Sequence, residues 1–349
     1  MTMTHDESYG YLFAHFTGTE QTPDDEQIYF ALSRDGLRWH DLRAYGDPVL
    51  RSPLGERGVR DPYIVREPDG RGAFLIATDL SIHHRGGDWA TSDAKYHGST
   101  SLVVWHSNDL AHWDEPWLLD VASSIPDAGY AWAPEAMWDE RHGHYMLYWA
   151  TLSEPDNTIG DPQNMYLATT TDFRSITTPV KWVDRERACI DVTMMRVGDW
   201  YYRASAGDGI IHIDRASNPY AVSVAPRFSD ETGDADSWSF VADLDAIFAP
   251  SFNDICGGKP RSHELEGPEL FRFNPSDAVV DGRSMPFGLI ADRHAEHDGY
   301  IAFRSADLAS ADATDWAYSD VDFGTLKKRH GTILPVSEQE YRALETLAR

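Results

Sequence analysis

The chain has 349 residues and carries 57 acidic against 30 basic side chains, a net charge of −27. That excess excludes partners held by neutralising phosphates, which need Lys and Arg gathered on one face, so neither nucleic acid nor an anionic membrane is an expected partner. With 42% apolar and 25% charged residues the chain can build a globular core, and it has no run of about eighteen apolar residues to span a bilayer.

The opening MTMTHDESYG has no basic region followed by an apolar stretch, and a cytoplasmic location is the expectation. From Tyr11 onward one composite unit recurs. It consists of an inner strand, an aromatic-rich second strand, a variable loop, a third strand ending in a turn like S-x-D-L, and an outer strand. In chain order the second strands are YLFAHF (11–16), AFLIATDL (73–80), HYMLYWATL (144–152), WYYRASA (200–206) and PFGLIADR (286–293). The third strands with their turns follow at 28–39, 102–113, 165–176, 210–221 and 300–311. The inner strands are RDPYIV (60–65), PEAMWD (134–139), IDVTMMRV (190–197) and EGPELFRF (266–273). The first unit lacks one upstream, and HGTILPV (330–336) supplies it from the other end of the chain. A C-terminal strand completing the N-terminal sheet closes a ring and leaves no open edge.

The expected fold is therefore all-β, a five-bladed β-propeller with four strands per blade, forming a single domain over 9–349. After Ser337, the Ser337/Glu340 capping-box spacing and the apolar positions Tyr341, Leu344 and Leu347 predict a helix at about 338–348. The segment at about 225–262, including the acidic SDETGDAD at 229–236, reads as a surface insertion in the fourth unit. Trp39, Trp105 and Trp113 fall at repeat positions and are expected to pack between blades. Cys189 and Cys256 fit neither a disulfide framework nor a zinc pattern and are read as reduced thiols.

Equivalent positions in a closed ring lie at equivalent distances from its axis. Asp61, Glu135, Asp191, Glu266 and His330 stand at or beside the starts of the five inner strands, which gathers four carboxylates and an imidazole at one end of the channel. Such a ring is electrostatically costly, because like charges oppose one another's ionisation. Paired carboxylates are also the equipment for cleaving a glycosidic bond: one donates a proton to the leaving oxygen, the other activates water, and roughly 6.5–9.5 Å between them leaves room for that water. A third acid, Asp191, would tune the donor. Second strands end on the face where inner strands begin, which places Asp79, Trp149, Ser205 and Arg293 near the site, with the loops 80–98, 152–163 and 293–298 above it. Trp132 either stacks on a sugar face or wedges between blades, and Arg293 either bonds sugar hydroxyls or pairs with an acid. His83, His84, His142, His144, His294 and His297 are metal ligands by type but form no HExxH, and no glycine-rich phosphate loop is present.

RDPYI (60–64), WAPEAMWD (132–139), CIDVTMM (189–195), EGPELF (266–271) and RHGTILP (329–335), in this order from about 9 to 341, resemble glycoside hydrolase family 43. The resemblance implies Asp61 as general base, Asp191 as modulator and Glu266 as general acid. Glu269, three residues along a strand of period two, is expected on the opposite face. His330 resembles the family's axial His, which faces a channel water or ion, so a channel-bound cation such as calcium beside it is allowed although the chemistry requires no cofactor. Arg60, Asp79, Trp132, Glu135, Trp149, Ser205 and Arg293 are the expected substrate-binding set. The chain departs from the family in the long segment before Glu266 and in WAPE where many members have WAPD.

The implied activity is an inverting exo-glycosidase that removes a non-reducing-end pentose, α-L-arabinofuranose first, from oligosaccharides derived from plant polysaccharides. The charge of −27 disfavours uronic acids and agrees with a neutral pentose-containing substrate. The rivals are a β-D-xylosidase of hemicellulose-derived xylo-oligosaccharides and a carbohydrate-binding propeller without catalysis. A retaining fructan hydrolase would carry an Asp in the first strand, where YLFAHFTGTEQ has none.

Overall fold

The computed structural model describes residues 8–153, 163–184, 188–224 and 237–348. These residues form five antiparallel blades around a central channel. Blade one is ordered Arg329–Val336, Gly10–Phe16, Tyr29–Ser33 and Trp39–Asp41 from the axis outward. Blade two runs Val59–Arg66, Ala73–Asp79, Ser101–Ser107 and Trp117–Asp120, and blade three Trp132–Asp139, His144–Leu152, Gln163–Thr170 and Val180–Asp184, with the short strand Ser223–Val224 added parallel to its outer edge. Blade four runs Ile190–Val197, Trp200–Gly207, Ile210–Ala216 and Ser239–Asp243, and blade five Glu266–Arg272, Phe287–Asp292, Tyr300–Ser305 and Trp316–Ser319. The ring closes as expected: Gly10 pairs with Val336, Leu12 with Leu334 and Ala14 with Thr332 in antiparallel register.

The repeated turn has a local cause. The Ser33 hydroxyl accepts from the Gly36 N–H, and the Asp35 carboxylate accepts from the Leu37 and Arg38 N–H groups. Ser107 with Asp109, Thr170 with Asp172 and Ser305 with Asp307 repeat the arrangement. A short oxygen side chain thus satisfies donors that no strand can reach, and the sequence signal marks that need.

Packing occurs between blades. Leu12, Phe30, Leu75 and Trp105 fill the space between blades one and two, while Phe13, Trp39, Phe271 and Ile290 fill that between five and one. Similar clusters join the remaining neighbours, so the aromatic second strands are buried on both faces. Trp113 packs against the first of these cores. The C-terminal helix, Glu338–Glu345, is shorter than expected but has its capping box: the Ser337 hydroxyl accepts from the Glu340 N–H, and the Glu340 carboxylate accepts from the Ser337 N–H. Its buried Tyr341 and Leu344 cover the seam between blades one and two. This seals the edge where the two ends of the chain meet.

The expected insertion is narrower than 225–262. Its acidic stretch lies outside the described residues. Ser239–Asp243 within it is the outer strand of blade four, paired with Ile210–Ala216. The helical turns Leu244–Ile247 and Phe252–Ile255 then pack Leu244, Ile247 and Phe252 onto the core shared by blades four and five. Cys189 and Cys256 are both buried. Among the described residues no helix is long and apolar enough to cross a membrane.

Candidate active site

Every inner strand carries one extra residue near its start. Between Arg60 and Tyr63 the partner strand advances from Thr78 only to Ile76, and the same offset occurs at Trp132/Glu135, Ile190/Thr193, Glu266/Glu269 and Arg329/Thr332. Each is a β-bulge, which leaves a residue unpaired and re-aims its neighbours. In four strands the bulged residue is left-handed: Asp61 at φ 50°, Ala133 at 48°, Asp191 at 54° and Gly267 at 52°. Such backbone costs of order 1–3 kcal/mol at a non-glycine residue and is characteristic of functional sites. At Gly267 a side chain would also meet the His330 ring, with a Cβ only 3.0 Å from its Cγ. Pro62, Pro134 and Pro268 follow three of the bulges, where a missing N–H leaves no ladder bond unmade.

The bulges sort the axial residues into three layers, which corrects the expectation of one shared register. Arg60, Trp132, Ile190, Glu266 and Arg329 form the rim. Asp61, Ala133, Asp191, Gly267 and His330 form the bulge layer. Tyr63, Glu135, Thr193, Glu269 and Thr332 lie deeper. The rim layer and, from the bulge layer, Asp61, Asp191 and His330 line a cavity of about 320 Å³, joined by Phe16, Glu20, Trp89, Lys95 and His294. Asp61, Asp191 and Glu266, from blades two, four and five, therefore meet in one cavity with His330.

Two consecutive residues of blade one hold these acids. The Arg329 guanidinium donates to Glu266 Oε1 at 2.9 Å, and His330 Nδ1 lies 3.5 Å from Asp61 Oδ1 and 3.8 Å from Asp191 Oδ1. Arg329 is anchored in turn by the buried Asp292. Asp61 also accepts from the Thr78 hydroxyl at 2.7 Å, and Asp191 from the Gly267 N–H at 3.0 Å. Burial alone would raise the Asp61 carboxyl, but the hydrogen bond and charge of His330, with Arg60 and Thr78, hold it below the ordinary value. Asp191 goes the other way. Burial, opposed by His330 and reinforced by the charges of Glu266 and Asp61, pushes it up to about 7. Burial opposes charging His330, yet Asp191, Asp61 and Glu266 raise its pKa to about 9, so it is an imidazolium at neutral pH. Two acids of one cavity are thus driven apart in acidity by their surroundings.

Glu135 and Glu269 belong to the deep layer. The extra residue at Gly267 restores parity, so Glu269 faces the channel rather than the opposite face: its carboxylate accepts from the Ile333 N–H at 3.0 Å and the Thr193 hydroxyl at 3.3 Å. Glu135 is likewise buried below the cavity and accepts from the Tyr148 hydroxyl at 3.1 Å. Burial and the charge of Glu269 push Glu135 well above the ordinary carboxyl value, and burial lifts Glu269 to about 8 despite the Ile333 N–H. Glu135 is therefore a channel residue and does not line the cavity.

Four further expectations are corrected. Asp79 is buried and accepts from the Glu56 N–H; Trp149 lies in the core between blades two and three; Ser205 is buried within blade four. Arg293 donates to the carbonyls of Cys256, Asp298, Gly299 and Tyr300, pinning its own loop to the 252–256 turn. Asp79, Trp149 and Ser205 lie on second strands and Arg293 just after one, a strand out from the axis, and none of the four lines the cavity. Arg60 does line the cavity, but its guanidinium is matched by Glu20 at 3.0 Å and Glu26 at 2.9 Å. Trp132 lines it too, stacked on Tyr130 with centroids 3.8 Å apart and edge-on to Trp89. The loop 80–98 does reach the site through Trp89 and Lys95, anchored where Ser81, Ile82 and His83 donate to Glu26. Most of the loop 152–163 lies outside the described residues.

Sequence reasoning gave no role to Arg329, Trp89, Glu20 or Thr78. Arg329 had a usable signal, standing beside His330 in RHGTILP; the others come from loops and a second strand whose reach no local pattern encodes. A cation beside His330 would be bordered by Asp61 and Asp191, the carboxylates that face its Nδ1.

A family model described as a probable glycosyl hydrolase domain, related to family 43, matches residues 6–342. A curated α-L-arabinofuranosidase of Bifidobacterium longum subsp. longum is 27% identical over 300 residues, covering 78% of this chain and 26% of that protein. The chain thus spans about a quarter of that relative's length. Among solved structures, an α-L-arabinofuranosidase of Fusarium graminearum in complex with arabinobiose has a TM-score of 0.49 at 14% identity, covering 88% of this chain and 76% of that one. An α-L-arabinofuranosidase from Lactobacillus brevis has a TM-score of 0.45 at 17% identity, over 79% and 74%. With a family model matched from residue 6 to residue 342, the chain belongs to the family-43-related glycosyl hydrolase domains.

Proposed function

We propose that this domain is an inverting exo-glycosidase releasing a terminal pentose, α-L-arabinofuranose, from neutral oligosaccharides. The observation that carries the reading is the meeting of Asp61, Asp191 and Glu266 in one cavity, with Asp61 and Glu266 on opposite flanks of the strand bearing Arg329 and His330. Asp61, kept ionised by the His330 cation, takes a proton from water as the water oxygen bonds to the anomeric carbon. Glu266 gives its proton to the leaving oxygen as the glycosidic C–O bond breaks. Its side chain is 29% exposed against 15% for Asp61, which suits a donor at the mouth where the leaving group departs. Asp191 shares His330 with Asp61 and adjusts the charge around both. The small cavity, walled by Trp132 and Trp89, accommodates one terminal ring, which supports exo action. The arabinofuranose assignment draws on the 27% identical relative.

A panel of 4-nitrophenyl pentosides with arabino- and xylo-oligosaccharides tests the substrate, and proton NMR of the first-formed sugar tests the stereochemistry. Hydrolysis of the α-L-arabinofuranoside with inverted anomeric configuration is the expected result. Preference for the β-D-xyloside would replace the sugar, retained configuration would overturn the mechanism, and turnover of no substrate would make the domain a binding module.

A further inference from the structure

The hairpin joining the first two strands of blade three, DERHGH at 139–144, lies at the end of that blade away from the cavity. Trp132 lies on the rim and Asp139 seven residues further along the same strand, a distance of roughly 20 Å at strand rise. At this tip the ligand atoms of Asp139, His142 and His144 all lie within 4.8 Å of one another. The His142 and His144 rings stack with centroids 5.7 Å apart and planes inclined by 13°. Tyr220, from the segment that follows the third strand of blade four, reaches into the same cluster: its hydroxyl donates to Asp139 Oδ2 at 2.7 Å and lies 2.9 Å from His144 Nε2.

We propose that Asp139, His142 and His144 form a site for a divalent transition-metal ion of the zinc class, with the Tyr220 hydroxyl as a neighbouring oxygen donor. Two imidazoles and one carboxylate are borderline donors suited to zinc, copper or nickel and too nitrogen-rich for calcium or magnesium. Tetrahedral zinc holds nitrogen and oxygen ligands at about 2.0–2.2 Å, which puts neighbouring ligand atoms roughly 3.3–3.5 Å apart. Closing from a maximum of 4.8 Å therefore needs only side-chain rotation on the hairpin. Gly143, between the two histidines, has φ 71° and nothing within 4 Å of where a Cβ would stand, so the turn has room to adjust. Access is open: His142 is 50% exposed along its side chain, and the cluster borders a surface cavity of about 800 Å³ that also includes Arg196 and Asp199. A bound ion would tie the blade-three hairpin to the Tyr220 segment between the third and outer strands of blade four, making the site a clamp between blades, remote from the glycosidase chemistry.

The competing account is a hydrogen-bonded cluster with no affinity for metal. Titration of the untagged full chain with Zn²⁺ against a chromophoric chelator separates the two. The expected result is one equivalent bound and an upward shift in melting temperature on addition of zinc. His142→Gln and His144→Gln should each weaken binding at least about tenfold. His112→Gln is the control, because Asp109 and His112 make an exposed pair at 2.8 Å on another hairpin without a second imidazole. Co²⁺ should give the intense visible bands of a tetrahedral site, lost in both variants. Zinc bound no more tightly than to a His142→Gln/His144→Gln chain, or weakened equally by His112→Gln, overturns the proposal. Should His144→Gln fail to fold, the half-exposed His142 carries the same test.

Discussion

Replacing Glu269 by Gln tests the bulge-shifted register directly. Glu269 is buried in the channel, and its carboxyl is lifted from 4.5 to about 8 by burial. An acid with a raised folded-state pKa holds its proton in the native state after the unfolded chain has released it. Stability is therefore highest below about pH 4.5 and falls as pH rises toward 8. The lift corresponds to about 5 kcal/mol, at 1.36 kcal/mol per pKa unit. Gln keeps an oxygen for the Ile333 N–H but cannot ionise, so the variant should lose this part of the pH dependence. A chain of this length unfolds with an entropy of about 0.7 kcal/mol/K, so the difference amounts to roughly 7 °C. Melting curves of both proteins at several pH values from 4.5 to 9 provide the assay. The wild-type curve should drop toward high pH relative to the variant by several degrees, whatever the other titrating groups contribute to both. Were Glu269 on the outer face in water, the two curves would run parallel, and that result would refute the channel placement.

Three further outcomes follow from the cavity. Asp61→Asn and Glu266→Gln should each lower kcat on 4-nitrophenyl α-L-arabinofuranoside by at least roughly 10²-fold, and an undiminished rate in either removes that residue from its role. Substituting His330 by Gln withdraws the cation that holds Asp61 down. The acidic limb of the kcat/KM profile should then move to higher pH, because burial is left to raise the base; an unmoved limb would show that His330 does not set it. Arg329→Met leaves the buried Asp292 without its charge partner, a defect worth about 3–5 kcal/mol. Urea unfolding should show that loss together with reduced kcat, and a variant as stable as the wild type would mean that Asp292 is neutralised in another way.

The sequence by itself determined the ring. The five aromatic second strands, the turns with Ser or Thr two residues before Asp, and the displaced HGTILPV each satisfy a local rule of pleating, turn chemistry or strand pairing, and local rules are legible in a linear string. The same is true of the capping box at Ser337 and Glu340. Asp61, Asp191, Glu266 and His330 could be brought to one end of the channel because strand starts follow from the repeat. Tertiary structure decided which layer each residue occupies. One extra residue per inner strand reverses the alternation beyond it, and Asp61, Ala133 and Asp191 give no glycine signal that the backbone turns left-handed there. Strict period-two counting therefore put Glu269 on the wrong face and grouped Glu135 with the rim. The same limit explains Asp79, Trp149, Ser205 and Arg293, whose nearness in height to the site said nothing about the core packing and loop hydrogen bonds on and beside the second strands that hold them. Arg329 and Trp89 enter the cavity for the complementary reason: contacts across a closed ring are set by how five sheets twist and pack together, a property of the whole circle.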